Sequence, residues 1–347
     1  MHICFITAFM SKFFQSFADL PSSRGRALCL GNFDGLHLGH QKLLESCLQK
    51  ARDKKLSSLV FSFDPHPRKF LSDPSKIRIL TLLEEKRHLL GAMGFDEILL
   101  QRFDREFSKI EADEFVKILT RYLCAKVVLF GRDFRFGKGA KGSRECFEKV
   151  SGVEVVELEA VRDKASEVLS SERIRSLVLS GDVESANRLL GYPYFLSGEV
   201  IHGDKLGKQL GFPTANLQTF NECLPKPGVY FSSVCLKESS LLYPSVTNVG
   251  FRPSVSNQGE LRIETHLLQF QDELVGQRLR LHFFKRLRPE KKLSGQSALA
   301  AQIKEDVVAA QQFWAQKFDL RDSERIYSRQ LAPTLKQEIL GFISKIS

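Results

Sequence analysis

Residues 27–40 read ALCLGNFDGLHLGH, and the fold turns on the change of character within that stretch. ALCLGNF at 27–33 is apolar and short, as a buried strand is. Beyond it, Leu43, Leu44, Cys47, Leu48 and Ala51 recur at the spacing of one helix face. GNFDGLHLGH at 31–40 is therefore a strand-to-helix turn, the position where open α/β sheets hold phosphates. Gly31, Gly35 and Gly39 let backbone amides approach an anion. His37 and His40, three apart, are expected on one face of the first helical turn. Imidazoles so placed can donate hydrogen bonds to the oxygens of a pentavalent phosphorus. Taken alone, the His-x-x-His pair is equally open to a structural role or a metal.

Working outward, the same alternation continues to about residue 190. SSLVFSF at 57–63, DEILLQRF at 96–103, AKVVLFG at 125–131 and VEVVELEAV at 153–161 are candidate strands with helical stretches between them, which predicts a parallel sheet covered on both faces. After Gly191-Tyr192-Pro193 the texture changes. FLSGEVIHG, GVYFSSVCL, PSVTNVGF, LRIETHLLQ and LRLHFFKRL follow one another, separated by Gly, Pro, Asn and Ser, and predict a strand-rich barrel or sandwich. A helix at about 295–316 carries Leu299, Ile303, Asp306, Val307 and Ala310 near one face, and a shorter one is expected around Leu335, Ile339 and Ile343. Three segments result: an α/β domain at 1–190, a β domain with its closing helix at 191–317, and a helical tail at 318–347.

The bulk composition narrows the function. A chain of 347 residues suits two domains better than one core. The 51 Lys and Arg against 41 Asp and Glu give a charge of +10, which admits anionic partners. No basic run with interleaved aromatics singles out nucleic acid, and a solvated basic surface is the simpler reading. Seven cysteines are scattered and never form a CxxC pair, so they predict reduced thiols in the cytoplasm rather than a zinc site or disulfide framework. The opening MHICFITAFMSKFF lacks the basic start and cleavage site of a signal peptide and is expected to hold a first strand or an over-long start. No run reaches the roughly 20 apolar residues that span a bilayer.

With its strand-to-helix context, GNFDGLHLGH resembles the first signature of the HxGH nucleotidyltransferases, and specifically of the bacterial FAD synthetases. FDPHPRKFL at 63–71 and VVLFGRDFRFGKGAKG at 127–142 resemble that family's following motifs, and LSSERIRSLVLSGDVESANRLLG at 169–191 resembles its second phosphate-binding signature. The resemblance implies a Rossmann-like domain in which His37 and His40 are catalytic. It further implies that Gly31, Asn32, Phe33, Gly39, Ser170, Ser171 and Arg175 bind ATP, and that Asp133 and Phe134 face flavin. Ser170 and Ser171 could also cap the helix they precede. Phe136 is equally open to core packing. Glu172 stands where the family has threonine; near ATP it must turn outward or cost electrostatic energy.

GDKLGKQLGFPTANL at 203–217 joins Gly203, Gly207 and Gly211 to Lys205 and Lys208, a composition suited to phosphate. Thr214 and Asn216 add oxygen donors acceptable to magnesium. Followed by GVYFSSV, NVGFRPSV and LRIETHLL, it resembles riboflavin kinase along the whole domain. The resemblance implies a six-stranded Greek-key barrel, Gly203, Lys205, Lys208 and Gly211 on the nucleotide, Mg2+ on Thr214 and Asn216, and Glu264 as general base. Within RPEKKL at 288–293, Arg288 could reach flavin. Ser254, Gln269 and Val275 depart from the family pattern.

The implied reaction sequence converts riboflavin and ATP to FMN, then FMN and ATP to FAD, with Mg2+ and with neither nucleic acid nor membrane as partner. Three alternatives stay open at this point: an adenylyl site decayed through Glu172, an HxGH enzyme for another phosphorylated acceptor, or a basic nucleic-acid-binding protein that keeps the fold. Retention of His37, His40, Thr214, Asn216 and Glu264 together weighs against the last.

Overall fold

The computed structural model describes residues 11–150, 152–204, 206–236, 242–251, 261–268, 270–291 and 294–317. The chain divides into two compact units, Met1–Ser171 and Glu172–Ser347. The division falls ahead of the change in sequence texture near residue 190. The helix expected around Leu335 and the tail at 318–347 lie outside the described residues, as do Lys205, Ser254 and Gln269.

In the first unit the elements run β1 (Lys12–Phe14), β2 (Arg26–Leu30), α1 (Leu38–Lys54), β3 (Ser57–Asp64), α2 (Pro67–Leu71), α3 (Leu83–Ala92), β4 (Glu97–Arg102), α4 (Ala112–Lys117), β5 (Ala125–Gly131) and β6 (Glu154–Leu158). The six strands form one sheet in the order β1-β4-β3-β2-β5-β6, every pairing parallel. β2 is buried along its whole length, as expected of a strand covered on both faces, and this is why it reads as a continuous apolar run rather than an alternating one. One face carries a phenylalanine-rich core in which Phe61, Phe115, Phe130, Phe136 and Phe147 are buried and meet mainly edge-on or tilted, a geometry worth about 0.5–1.5 kcal/mol per pair beyond burial. Phe136 is thus a core residue. α1 puts Leu43, Leu44, Cys47 and Ala51 inward, the set its spacing predicts. At the opposite end from the strand tips, Arg26 grips Glu97 through two hydrogen bonds of 2.6 and 3.0 Å and also donates to the carbonyls of Leu123 and Pro21.

α5 (Ser171–Ser180) begins on the last residue of the first unit, and the second unit continues with α6 (Val183–Leu190), β7 (Phe195–Ile201), α7 (Leu206–Gln209), β8 (Ala215–Thr219), β9 (Gly228–Leu236), β10 (Leu242–Phe251), β11 (Leu261–Leu267), β12 (Arg278–Arg288) and α8 (Gln296–Lys317). Its strands close into an antiparallel barrel, β10-β11-β8-β7-β12-β9. β8 was not expected as a strand: its residues sit inside the glycine-rich motif, whose polar composition masks the alternation Ala215-in, Asn216-out, Leu217-in. Outside the barrel, Val229, Phe231, Val246 and Phe284 pack with Ala310, Phe313 and Trp314 of α8. The alternate residues of β9 point inward, where the hydroxyls of Ser232, Ser245, Thr247 and Thr265 form a fully buried chain of bonds at 2.7–2.9 Å. No helix among the described residues is long and apolar enough to cross a membrane.

Candidate functional site

The strand order of the α/β unit reverses between β2 and β5, and the crevice beyond the ends of those strands is where such sheets bind ligands. GNFDGLHLGH leaves β2 at that point. The turn is tight, with Phe33, Gly35 and Leu36 at φ of 49°, 76° and 37°. Its fixed point is Asp34, whose Oδ1 accepts from Leu80 N, Thr81 N and Thr81 Oγ1. Gly31 admits no side chain, since a Cβ there would lie 2.7 Å from the Phe33 ring.

His37 lies one position ahead of the helix rather than within its first turn. It is the N-cap residue of α1, and its Nδ1 accepts from His40 N at 3.3 Å. This corrects the sequence reading in detail while keeping the pair together, because an N-cap side chain folds back over the first turn. The two rings stack with centroids 3.7 Å apart, and the Phe33 edge closes on His40 at 5.4 Å. Accepting at Nδ1 leaves the proton of a neutral His37 on Nε2, free to donate. Burial lowers the His37 pKa to about 4, against a smaller upward pull from Asp34. Burial lowers His40 as well, helped by His37 and by Lys86. Both rings are therefore neutral hydrogen-bond donors at pH 7. Nearby, His40 Nδ1 and Asn32 Oδ1 are buried without a hydrogen-bond partner among the described residues, as groups kept for a ligand would be.

Ser171 is the first residue of α5 rather than its cap, and its hydroxyl donates to Asp34 O at 2.8 Å. Glu172 is exposed and holds the buried Arg175 at 2.5 Å. Asp133 is exposed and Phe134 half-buried, Phe134 lying against Phe130 and Phe136.

On the barrel, strand register gathers the predicted residues. Asn216 of β8 is directly opposite Glu264 of β11, which is opposite Asn248 of β10, so the three half-buried side chains share one face in a row. Asn248 escaped the sequence reading, and only the register identifies it. The glycine-rich segment folds over this row. A Cβ on Gly203 would sit 1.9 Å from Asn216 Nδ2, and one on Gly207 would sit 3.1 Å from Thr214 Oγ1. Gly211 takes φ 85°, and Lys208 and Thr214 are exposed. Burial raises the Glu264 pKa from its ordinary value; Arg262 opposes this and Asp204 adds to it. Arg288 is engaged with Asp306 of α8 through bonds of 2.9 and 2.7 Å.

Family models described as FAD synthetase and riboflavin kinase match residues 19–173 and 190–314 respectively. Two curated relatives, the bifunctional riboflavin kinase/FMN adenylyltransferases of Listeria monocytogenes and Escherichia coli K12, are each 35% identical, over 85% and 84% of this chain and 94% and 93% of theirs. This chain belongs to their family. A solved structure described as a macrolide-efflux protein from Streptococcus pneumoniae is similar at TM-score 0.78 and 27% identity, over 87% of this chain and 99% of that one.

Set in the riboflavin kinase/FMN adenylyltransferase family, His37, His40, Gly31, Asn32, Phe33, Gly39 and Ser171 come together at the switch point of the α/β unit. Gly203, Gly207, Thr214, Asn216 and Glu264 come together on the barrel. Sequence reading missed Lys86 of α3, which is buried near His40. Among the described residues, no three His, Cys, Asp or Glu converge as a metal site. The hard oxygen donors of Thr214 and Asn216 are the kind Mg2+ takes when it is held mainly by nucleotide phosphates.

Proposed function

We propose that this chain phosphorylates riboflavin to FMN on its barrel, within residues 191–317, and adenylylates FMN to FAD in its α/β domain, within residues 1–190, using ATP in both steps. One observation carries the division of labour: the phosphate-loop motif ends in a buried, stacked imidazole pair in one unit, while a half-buried carboxylate directly opposite an asparagine lies in the other.

On the barrel, Glu264 takes the proton of the ribityl 5′-hydroxyl as the hydroxyl oxygen bonds to the γ-phosphorus of ATP, while the bond from that phosphorus to the β–γ bridging oxygen breaks and its electron pair leaves on ADP. A carboxylate with a raised pKa is a stronger base than an ordinary one. Thr214 and Asn216 would hold Mg2+, which supplies charge neutralisation on the transferred phosphoryl group. Gly203, Lys205, Lys208 and Gly211 orient the nucleotide. Arg288 reaches flavin only by exchanging its bonds to Asp306.

In the α/β unit the FMN phosphate attacks the α-phosphorus of ATP and pyrophosphate leaves. The site offers donors and no nucleophile of its own, so the transfer is direct. His37 Nε2 and the His40 ring donate to non-bridging oxygens where charge grows. Ser170, Ser171 and Arg175 bind the ATP phosphates, and Asp133 and Phe134 face the flavin. The substrates are small molecules of the cytoplasm, with no nucleic acid or membrane required.

Incubating the purified chain with riboflavin, ATP and Mg2+ and resolving the flavins by chromatography tests this reading. FMN should appear first and FAD after it. Absence of product from both riboflavin and added FMN would overturn the assignment, and FMN without FAD would locate a defect at Glu172.

A further inference from the structure

One charged side chain beside the imidazole pair has no role in the chemistry above. Lys86 of α3 is 6% exposed, although lysine is rarely buried, since an ammonium removed from water needs an anion or several acceptors in its place. Its Nζ donates one hydrogen bond, to Phe63 O at 3.3 Å near the end of β3. Among the described residues it makes no ion pair. Burial lowers its pKa, while Asp34 and Asp64 pull it up. Asp34 has committed its Oδ1 to the backbone and hydroxyl at Leu80 and Thr81. Two N–H groups of a buried cation are thus left near the end of β3, where the adjacent Ser62 donates to the carbonyl of Asn32 at 3.1 Å, and close enough to His40 to help keep it neutral.

The charges explain what that cation is for. Neutral imidazoles donate hydrogen bonds but bring no charge, whereas the FMN phosphate and the ATP triphosphate concentrate several negative charges at one place. We propose that Lys86 is a further catalytic residue of adenylyl transfer, its ammonium binding a phosphoryl oxygen at the reaction centre and supplying the permanent positive charge that His37 and His40 lack. The inference rests on the adenylyl-transfer reading of that site. A bond forms from the FMN phosphate oxygen to the α-phosphorus. The bond from that phosphorus to the bridging oxygen breaks, its electron pair leaving on pyrophosphate, and Lys86 keeps its proton throughout.

The test compares Lys86→Met, which keeps length and removes charge, with Lys86→Arg, which keeps charge. FAD formation from FMN and ATP should fall about 10²–10³-fold in the Met variant and no more than about tenfold in the Arg variant. Phosphorylation of riboflavin by both should stay within about twofold of the parent, which reports an intact barrel, and an unchanged melting midpoint reports that the α/β unit is folded. With Lys86 neutralised, His40 regains affinity for protons, so the acid limb of FAD formation should move to higher pH in the Met variant. A Met variant within about fivefold of the parent overturns the proposal. Equal losses in Met and Arg, with a lowered melting midpoint, overturn it too by assigning Lys86 to packing. His40→Ala, assayed alongside, separates the two readings: if it still makes FAD the adenylyl assignment itself fails, and if it does not while Lys86→Met does, only the role of Lys86 fails.

Discussion

In the α/β unit the paired imidazoles are buried: His37 caps α1, His40 stacks on it at 3.7 Å, and both are held neutral by burial. On the barrel the corresponding groups sit half-open on a sheet face, with Glu264, Asn216 and Asn248 aligned by strand register and Thr214 exposed. The first arrangement suits a transfer that needs only fixed donors, because burial preserves both their direction and their strength. The second suits a transfer that needs a base, because partial burial raises a carboxylate pKa without enclosing it. Burial therefore works in opposite directions at the two sites, lowering the pKa of the histidines and raising that of Glu264.

The largest expected effect tests the base. Glu264→Gln should lower FMN formation about 10²–10⁴-fold while FAD formation from supplied FMN stays unchanged. Because the folded-state pKa of Glu264 is raised, its charge destabilises the barrel above the ordinary carboxylate pKa, so the same variant should melt higher at pH 7.

Acid titration sharpens the contrast. His37 at about 4 lies below its ordinary 6.5, so between those values the unfolded chain takes up a proton that the folded chain refuses. The stability this represents is fully present above pH 6.5 and is lost as pH falls toward 4, by roughly 3 kcal/mol for this group. The Glu264 contribution runs the other way over the adjoining range. Denaturant titrations at pH 7 and 5 should therefore show the α/β unit weakening, and His37→Asn should flatten that dependence.

Smaller effects distinguish the two glycine-rich loops. Gly203→Ala would place a methyl 1.9 Å from Asn216 Nδ2, whereas Gly39→Ala places one 3.1 Å from the His37 ring. The first should raise the kinase KM for ATP about tenfold, an overpacking cost of about 1–2 kcal/mol, and the second should change adenylylation less. Smallest of all is Glu172→Thr. Freeing Arg175 from an exposed carboxylate should improve FAD formation at limiting ATP by no more than about fivefold, the ceiling set by a surface ion pair of about 1 kcal/mol.

Much of this was legible in sequence for a physical reason. β2, β3 and β5 are apolar runs bounded by glycine or polar turns, and α1 keeps its buried face at regular spacing. β8 was hidden because it is only five residues long and three of them, Asn216, Gln218 and Thr219, are polar, so its alternation of buried and exposed positions does not stand out from the glycine-rich segment before it. His37 fell one residue outside its helix because a histidine ring can serve as N-cap acceptor as serine does. Lys86 could not be found at all: in LEEKRHLLGA it reads as an ordinary solvent-facing lysine, and only the folded chain buries it, with its Nζ bonded to Phe63 O in β3. Asn248 likewise acquires meaning only from its place opposite Glu264.

One chain should hold two independent transfer sites, and crossing two variants with two substrates decides whether it does. Given riboflavin, ATP and Mg2+, His40→Ala should accumulate FMN and make no FAD; given FMN and ATP, Glu264→Gln should make FAD at the parental rate while leaving riboflavin untouched. If either substitution abolishes both steps in a chain that remains folded, the two sites are not separate and the account is wrong.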